Sequence, residues 1–258
     1  MTAATVGPGV LVDRDVVLSL RNLVVSFGGN TVLHDVDLDI GTGFTGLLGP
    51  NGAGKTTIFN AVTGYVTPQA GTMALRGNDI SGLRATVVAK RGIARTFQTP
   101  RLVLDLPVFA NVLLGLDGRG VLRGRAAKAR TTEIIDAFGL GDLARKQAGD
   151  VPLASQKVVE VARAFVSGPT LVLLDEPAAG LSIADVDALV VPLREVARAS
   201  GTTVCIIEHD VELVARLCER VAILHLGRTL AAGPPAEVLA RADVLDAYLG
   251  AGFAAIDS

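Results

Sequence analysis

The sequence predicts an α/β fold in which a parallel sheet carries a glycine-rich turn and a block of helices is inserted between its strands. Three observations lead there. Gly49-Pro50-Asn51-Gly52-Ala53-Gly54-Lys55-Thr56-Thr57 follows a short apolar run at 44–48 and precedes an amphipathic stretch from Ile58, so a strand, a loop and a helix adjoin. A second apolar run, Leu171-Val172-Leu173-Leu174, is unbroken, as a strand buried on both faces requires, and leads into Asp175-Glu176-Pro177. Between them, residues from about 99 to 165 are helical in pattern, whereas strands dominate before and after.

A chain of 258 residues suffices for one large domain or two small ones with a sizeable core. Its composition, 50% hydrophobic and 19% charged, suits a folded protein with some surface given to partners. A net charge of −2 speaks against nucleic acid held by bulk electrostatics, so no nucleic-acid partner is expected. No run reaches the roughly 18 apolar residues that read as a membrane-spanning helix. Residues 1–15 lack a basic region followed by an apolar block, and are expected to be a flexible lead-in rather than a secretory signal. Cys205 and Cys218 lack metal-ligand spacing and read as two buried thiols in a reducing compartment, which points to the cytoplasm.

Taken in order, 16–27 partly alternates apolar and polar residues (Val17, Leu18, Leu20, Leu23, Val25, Phe27), predicting a strand near the sheet's edge. Phe27-Gly28-Gly29-Asn30 is a turn and 36–40 a second short strand. Phe27 is placed there either to stack on a purine face or to fill the core. After the glycine loop and its helix come a loop at 64–71, a strand at 72–75, helical residues around 87–90 and a strand at 93–97. Gln98 ends that strand before Thr99-Pro100, where the proline biases Thr99 away from helix. Helices at 107–115 and 125–138 flank a basic, glycine-rich joint at 117–124, read as a solvated loop. A helix at 155–166 has Ser155 as its expected N-cap and Gly168-Pro169 as its terminator. The pattern at 183–199 is helical, with a kink or break expected at Pro192. Strand 203–207 is capped by Glu208-His209-Asp210. Strands 221–226 and 229–231 form a hairpin turning at Gly227, and short helices continue to Gly250.

The chemistry collects at strand ends. Residues 49–57 fit G-x-x-x-x-G-K-[ST] at every fixed position. The glycines let the backbone turn tightly and approach a ligand, leaving N–H groups and a helix N-terminus facing an anion. Lys55 adds a charge for β and γ phosphates, and the Thr56 hydroxyl is placed to ligate Mg²⁺. The loop therefore implies a bound nucleoside triphosphate. Asp175 and Glu176 lie at the carboxyl end of a central strand, where open α/β sheets place their ligands. Asp175 reads as holding Mg²⁺ through water. Glu176, on the opposite side of the strand, reads as general base for an attacking water. Gln98 taken alone is a polar strand terminus. His209 ends a third apolar strand at the same edge, which favours contact with a γ-phosphate over a structural role.

Over residues 16–250 the sequence resembles the ATP-binding subunits of ABC transporters. Residues 49–57 match the Walker A loop, and 171–176 look like Walker B with its glutamate. Gln98 matches the Q-loop, His209 the switch histidine and Phe27 the aromatic A-loop position. The resemblance implies a P-loop NTPase (RecA-like) core with an N-terminal antiparallel β subdomain and an inserted α-helical subdomain. In that frame 16–250 is a single ATPase domain, with 16–98 and 166–250 as core, 99–165 as helical subdomain, and 1–15 and 251–258 as flexible termini. ATP and Mg²⁺ are the implied cofactors. Phe27, Gly49, Pro50, Asn51, Gly52, Ala53, Gly54, Lys55, Thr56 and Thr57 would bind nucleotide; Thr56, Gln98 and Asp175 would hold the metal; Glu176, His209 and Gln98 would be catalytic.

Finer features resemble one branch. Phe59-Asn60-Ala61-Val62-Thr63-Gly64-Tyr65, Gly92-Ile93-Ala94-Arg95-Thr96-Phe97-Gln98, Glu176-Pro177-Ala178-Ala179-Gly180-Leu181, Ile207-Glu208-His209-Asp210 and Ala247-Tyr248-Leu249-Gly250 are similar to the ATPases of branched-chain amino acid importers. Their urea- and amide-importing relatives share much of this pattern. The implied function is ATP hydrolysis that energises such an importer. The chain would sit peripherally on the cytoplasmic face of the membrane, docked on integral permease subunits and paired with a second ATPase subunit, without touching the solute. A soluble ABC ATPase and a weakly hydrolysing, nucleotide-sensing subunit are the alternatives.

The chain departs from the family at the LSGGQ signature, which falls on Val151-Pro152-Leu153-Ala154-Ser155. In the family this motif reaches across a dimer to the γ-phosphate in the partner's Walker A loop. Pro152 offers neither hydroxyl nor N–H, and losing a hydrogen bond to a charged group costs about 1.5–3 kcal/mol. A residue other than glycine forced to positive φ would add ~1–2 kcal/mol, with Gln156 as a partial substitute. The expectation is an asymmetric dimer, in which this chain's Walker A loop, Glu176 and His209 fire against an intact signature on a different subunit. A homodimer of low activity fits the same departure. Ser182, where many relatives carry Asp, loosens coupling across the dimer.

Overall fold

The computed structural model describes residues 15–117 and 122–253. In chain order the strands are β1 (Val16–Phe27), β2 (Asn30–Gly41), β3 (Phe44–Leu48), β4 (Ala70–Leu75), β5 (Asn78–Asp79), β6 (Ile93–Arg95), β7 (Leu171–Asp175), β8 (Thr203–Ile207), β9 (Arg220–His225) and β10 (Arg228–Gly233). The helices are α1 (Lys55–Val62), α2 (Ala85–Arg91), α3 (Val108–Leu113), α4 (Gly124–Ala137), α5 (Leu153–Phe165), α6 (Ile183–Ser200), α7 (Val211–Leu217), α8 (Pro235–Leu239) and α9 (Ala242–Phe253). The chain divides into two compact units, one formed by residues up to 85 and from 207 onward, the other by residues 86–206.

In the first unit β1 and β2 form an antiparallel hairpin whose turn residues, Gly28 and Gly29, have φ of 53° and 88°. Such a left-handed pair matches the twist of the flanking strands. It sets the register Phe27↔Asn30, so β2 begins at Asn30, ahead of the apolar stretch at 36–40. The order is β2-β1-β4-β5, so β1 is an interior strand and not the expected edge strand. Its alternation reports one buried face, carrying Leu18, Leu20, Leu23 and Val25; an interior strand of an antiparallel sheet with one open face shows the same period of two. Strand β5 has no counterpart in the sequence-based expectations. Elsewhere in this unit β3 runs parallel to β9, and β9 pairs antiparallel with β10. The hairpin turns at Leu226 and Gly227 as expected, with φ of 47° and 72°. Helix α7 was not expected from the apolar pattern; Asp210 caps it, accepting from the Leu213 N–H at 3.0 Å. Helix α9 takes in residues 251–253, which were expected to be flexible. The expectations for 1–14 and 254–258 lie outside the described residues.

The second unit has the strand order β8-β7-β6, with β6 and β7 parallel. All five residues of β7 are buried, as its unbroken apolar run requires. Strand β6 ends at Arg95, two residues short of the expected Phe97, although the Thr96 N–H still reaches the Leu173 carbonyl at 2.9 Å. Helices α3, α4 and α5 fill 99–165 together with short 3-10 turns. The rings of Phe138 and Phe165 lie 5.8 Å apart in their core. Of the joint at 117–124, residues 118–121 lie outside the described residues.

Two helix boundaries correct the expectations. Helix α5 starts at Leu153 with Pro152 as N-cap, not at Ser155. Pro152 sits at φ −55°, ψ 153°, and its carbonyl accepts the Gln156 N–H at 2.9 Å, closing the first turn. Its missing N–H lies outside the helical ladder and so costs nothing there. Helix α6 runs unbroken through Pro192. Interior proline costs about 3 kcal/mol, which burial of Leu189, Val190, Leu193 and Val196 outweighs at about 1.5–3 kcal/mol per side chain. Cys205 and Cys218 are buried thiols, as expected. Among the described residues no helix is long and apolar enough to cross a membrane.

Candidate nucleotide site

The glycine loop belongs to the first unit. Strand β3 delivers the chain into it, and α1 starts at Lys55 immediately after Gly54, whose φ is 104°. A side chain rarely adopts that angle, and a Cβ there would lie 2.6 Å from Leu33 Cδ2. With glycine as N-cap, α1 has no side-chain cap, so its first turn presents amides to whatever sits in front of it. Gly49 is fixed by a neighbour instead: a Cβ there would lie 2.0 Å from the Leu224 carbonyl oxygen of β9. The Gly227 N–H supports the far side of the loop by donating to the Ala53 carbonyl at 3.1 Å.

Lys55 is buried, and its Nζ donates to the carbonyls of Gly49 at 2.6 Å and Pro50 at 3.0 Å. Thr56 is exposed, so its hydroxyl is reachable. Phe27 is 47% exposed at the β1–β2 turn, which removes the core-aromatic alternative and leaves a ring face accessible. His209, between β8 and α7, is exposed as well and is no core histidine. Tyr248 on α9 contributes what the sequence did not announce. Burial pushes its phenol above the ordinary value, and the Gly49 N–H donates to its oxygen. The first residue of the loop is thereby tied to the last helix.

The strand-end cluster belongs to the second unit. Asp175 is the last residue of β7, and its carboxylate takes a hydrogen bond from the Arg95 guanidinium at 2.8 Å, with both side chains 6% exposed. The Asp175 N–H donates to the Thr96 hydroxyl at 3.2 Å. Glu176 lies beyond the strand, at φ 49° in the left-handed region. Its direction is therefore set by the turn and not by strand alternation. The Gln98 side-chain amide donates to the Glu176 carboxylate at 2.8 Å, so two of the expected catalytic residues are brought together.

Phe97, between Arg95 and Gln98, lies under two guanidinium groups, 3.8 Å from Arg101 and 5.0 Å from Arg95. The Arg101 N–H in turn donates to the buried Glu160 carboxylate at 3.0 Å. Burial raises the Glu160 carboxyl above its ordinary value, while bonds from Arg101 and the charge of Arg163 pull it back. The contacts of Arg95 and Glu160 beside the cluster were not foreseen; an isolated charge in an apolar pattern gives no sign of its partner. At the degenerate signature, Pro152 and Leu153 are exposed, and no residue of 151–156 has positive φ. The Gln156 amide turns back onto the Val151 carbonyl at 3.0 Å and so does not stand in for the lost signature groups. Ser182 is the N-cap of α6: its Oγ accepts from the Asp185 N–H at 3.2 Å and donates to the Asp185 carboxylate at 2.6 Å.

The family model described as ABC transporter matches residues 33–179, and the one described as Branched-chain amino acid ATP-binding cassette transporter matches residues 228–254. The chain is 35% identical over 248 residues to the high-affinity branched-chain amino acid transport ATP-binding protein LivG of Salmonella typhimurium, covering 90% of this chain and 97% of that protein. It is also 35% identical over 240 residues to the lipopolysaccharide export system ATP-binding protein LptB of Escherichia coli, covering 92% and 98%. Among solved structures, the ADP conformation of MJ1267, an ATP-binding cassette of an ABC transporter, matches with a TM-score of 0.83 at 26% identity, covering 91% of this chain and 99% of that one. Fold and glycine loop together define a P-loop NTPase. The chain belongs to the ABC transporter family, among its ATP-binding subunits.

Proposed function

We propose that this chain hydrolyses ATP to energise an importer of branched-chain amino acids. The observation that carries the reading is Glu176, held past the end of a buried strand with its carboxylate on the Gln98 amide at 2.8 Å. A general base must be held within reach of the proton it takes, and this bond fixes the position of the carboxylate. The solute assignment leans on the likeness to LivG and on the branch-specific match at 228–254.

In this reading the amides of residues 49–57 and the first turn of α1 cradle the β and γ phosphates. Lys55 exchanges the Gly49 and Pro50 carbonyls for phosphate oxygens, and Phe27 offers its exposed ring to the purine. Glu176 takes the proton of the attacking water while Gln98 holds its carboxylate, and His209 contacts the γ-phosphate. Thr56, Gln98 and Asp175 would hold Mg²⁺, which when bound neutralises phosphate charge. A hydroxyl, an amide and one carboxylate suit an ion that keeps water and phosphate as its other ligands, and the described residues contain no cluster of three or more His, Cys, Asp or Glu that would cage a metal.

Just beyond Gln98, Val103, Leu104 and Leu106 are 45%, 51% and 37% exposed. Apolar side chains grouped on a surface mark a docking site, and this one supports attachment to an integral permease at the cytoplasmic face of the membrane. A second ATPase subunit would complete the active pair. The equal identity to LptB favours a second reading, export of a larger amphiphile. Co-assembly with candidate membrane subunits, followed by uptake of leucine, isoleucine and valine against urea and against lipopolysaccharide extraction, separates the cargoes. The hydrolytic role is tested by Glu176→Gln, which should keep ATP affinity and lower turnover by about 10²–10⁴-fold. Normal turnover in that variant overturns the assignment of the base.

A further inference from the structure

Lys157 is a buried cation to which the reaction above gives no role. It is the fifth residue of α5 and 5% exposed. Its Nζ donates to the Ala179 carbonyl at 2.6 Å and to the Glu176 carbonyl at 3.3 Å. An ammonium removed from water persists only where acceptors replace its hydration, and here two acceptors come from a single turn. That turn holds Glu176 in the left-handed region at φ 49°, and the Ala179 N–H closes it on the Glu176 carbonyl at 3.2 Å.

Glu176 is thus held from two sides, its carboxylate by Gln98 and its carbonyl by Lys157. Left-handed backbone is unfavourable for any residue with a Cβ, so Glu176 stays there only while its surroundings over-determine it. If φ relaxed to the ordinary region, the carbonyl would leave Lys157 and the carboxylate would swing with the same Cα. Lys157 sits on the helix that opens with the altered signature at 151–155.

We propose that Lys157 is a positioning residue: from α5 it locks the 176–179 turn that aims the Glu176 carboxylate, and so couples the placement of the signature helix to the base within one chain. The proposal rests on the reading of Glu176 as general base. An ammonium carries three donors at one point, enough for both carbonyls. A guanidinium reaches two acceptors as a fork, and a thioether reaches neither.

The test uses the full chain with Mg-ATP, comparing wild type, Lys157→Met, Lys157→Arg, Glu176→Gln and the Lys157→Met/Glu176→Gln double variant. Lys157→Met should lower kcat by about 10²-fold, the scale of an ångström-sized misplacement of a reacting group, and leave the Kd for ATP within about twofold. Lys157→Arg should restore most of kcat. In the Glu176→Gln background Lys157→Met should change the residual rate little, because both act through one carboxylate. A kcat for Lys157→Met near that of wild type overturns the proposal, as does a full second loss in the double variant, which would mark general structural damage. If thermal melting shows Lys157→Met unfolded, Lys157→Gln, which keeps a donor for one carbonyl, takes its place in the same comparison. Normal turnover by Glu176→Gln would instead bring down the base assignment itself, whatever Lys157 does.

Discussion

Lys55 holds its ammonium on two loop carbonyls, and the loop offers it to phosphate only by giving those bonds up. The exchange is between charge-assisted hydrogen bonds of similar kind, so the net gain comes from the added charge of the phosphate. Lys55→Ala should weaken ATP binding about 10- to 150-fold, the worth of a hydrogen bond to a charged group. Titration with a fluorescent ATP analogue reads it, and unchanged affinity would remove Lys55 from the site. Asp175 poses the opposite problem, a carboxylate buried against the Arg95 guanidinium. Arg95→Met, which strips the charge and keeps the bulk, should destabilise the chain by about 3–5 kcal/mol because the carboxylate loses its partner; urea unfolding measures this. Glu160 adds a pH dependence. Its folded value is raised above the ordinary 4.5, chiefly by burial, so between 4.5 and the raised value the folded chain binds more protons than the unfolded one. Stability contributed by Glu160 is therefore full below that window and falls as pH rises through it. Subtracting the urea midpoint of Glu160→Gln from that of wild type should give a difference that declines from acid towards neutral pH. A flat difference would show that burial does not perturb this carboxyl.

At the scale of elements, the strand–loop–helix unit around residues 44–62 could be read from the sequence because glycine spacing and an apolar run each demand one local geometry. The boundaries that went astray were those fixed by long-range partners. Strand β1 looked like an edge strand because a period of two reports an exposed face and not a position in the sheet. The start of α5 was placed at Ser155 because serine is a good N-cap in general, whereas Pro152, preset to the extended backbone a cap needs, takes the position. The left-handed turn at Glu176 and the grip of Lys157 on it leave no trace in any pattern, since neither φ nor a cross-element bond has a period. The N-cap of α6 is testable. Ser182→Ala removes the acceptor for the Asp185 N–H and should cost about 1 kcal/mol of stability. No loss of thermal midpoint would show that the Ser182 hydroxyl contributes nothing to the stability of this helix start.

For the whole molecule the decisive feature is the opening of α5. Two penalties were expected from the altered signature, and one does not arise: Pro152 is extended, Leu153 and Ala154 are the first helical residues, and none of 151–156 needs positive φ. What remains is chemical. The N-cap position holds a proline, with no hydroxyl and no N–H to offer a phosphate, and the Gln156 amide is engaged on Val151. A nucleotide site completed by this helix should therefore lose about 10- to 150-fold in turnover. In the proposed reading, the site built on this chain's own glycine loop loses nothing if its partner brings an intact signature. ATPase rates of the chain alone, and of an equimolar mixture with an ATPase subunit that carries an intact signature, distinguish these sites: the mixture should turn over faster by up to that factor, and Glu176→Gln in this chain should abolish most of the gain. Equal rates would discard the asymmetric pair and leave a slow homodimer, in which both sites carry the same proline.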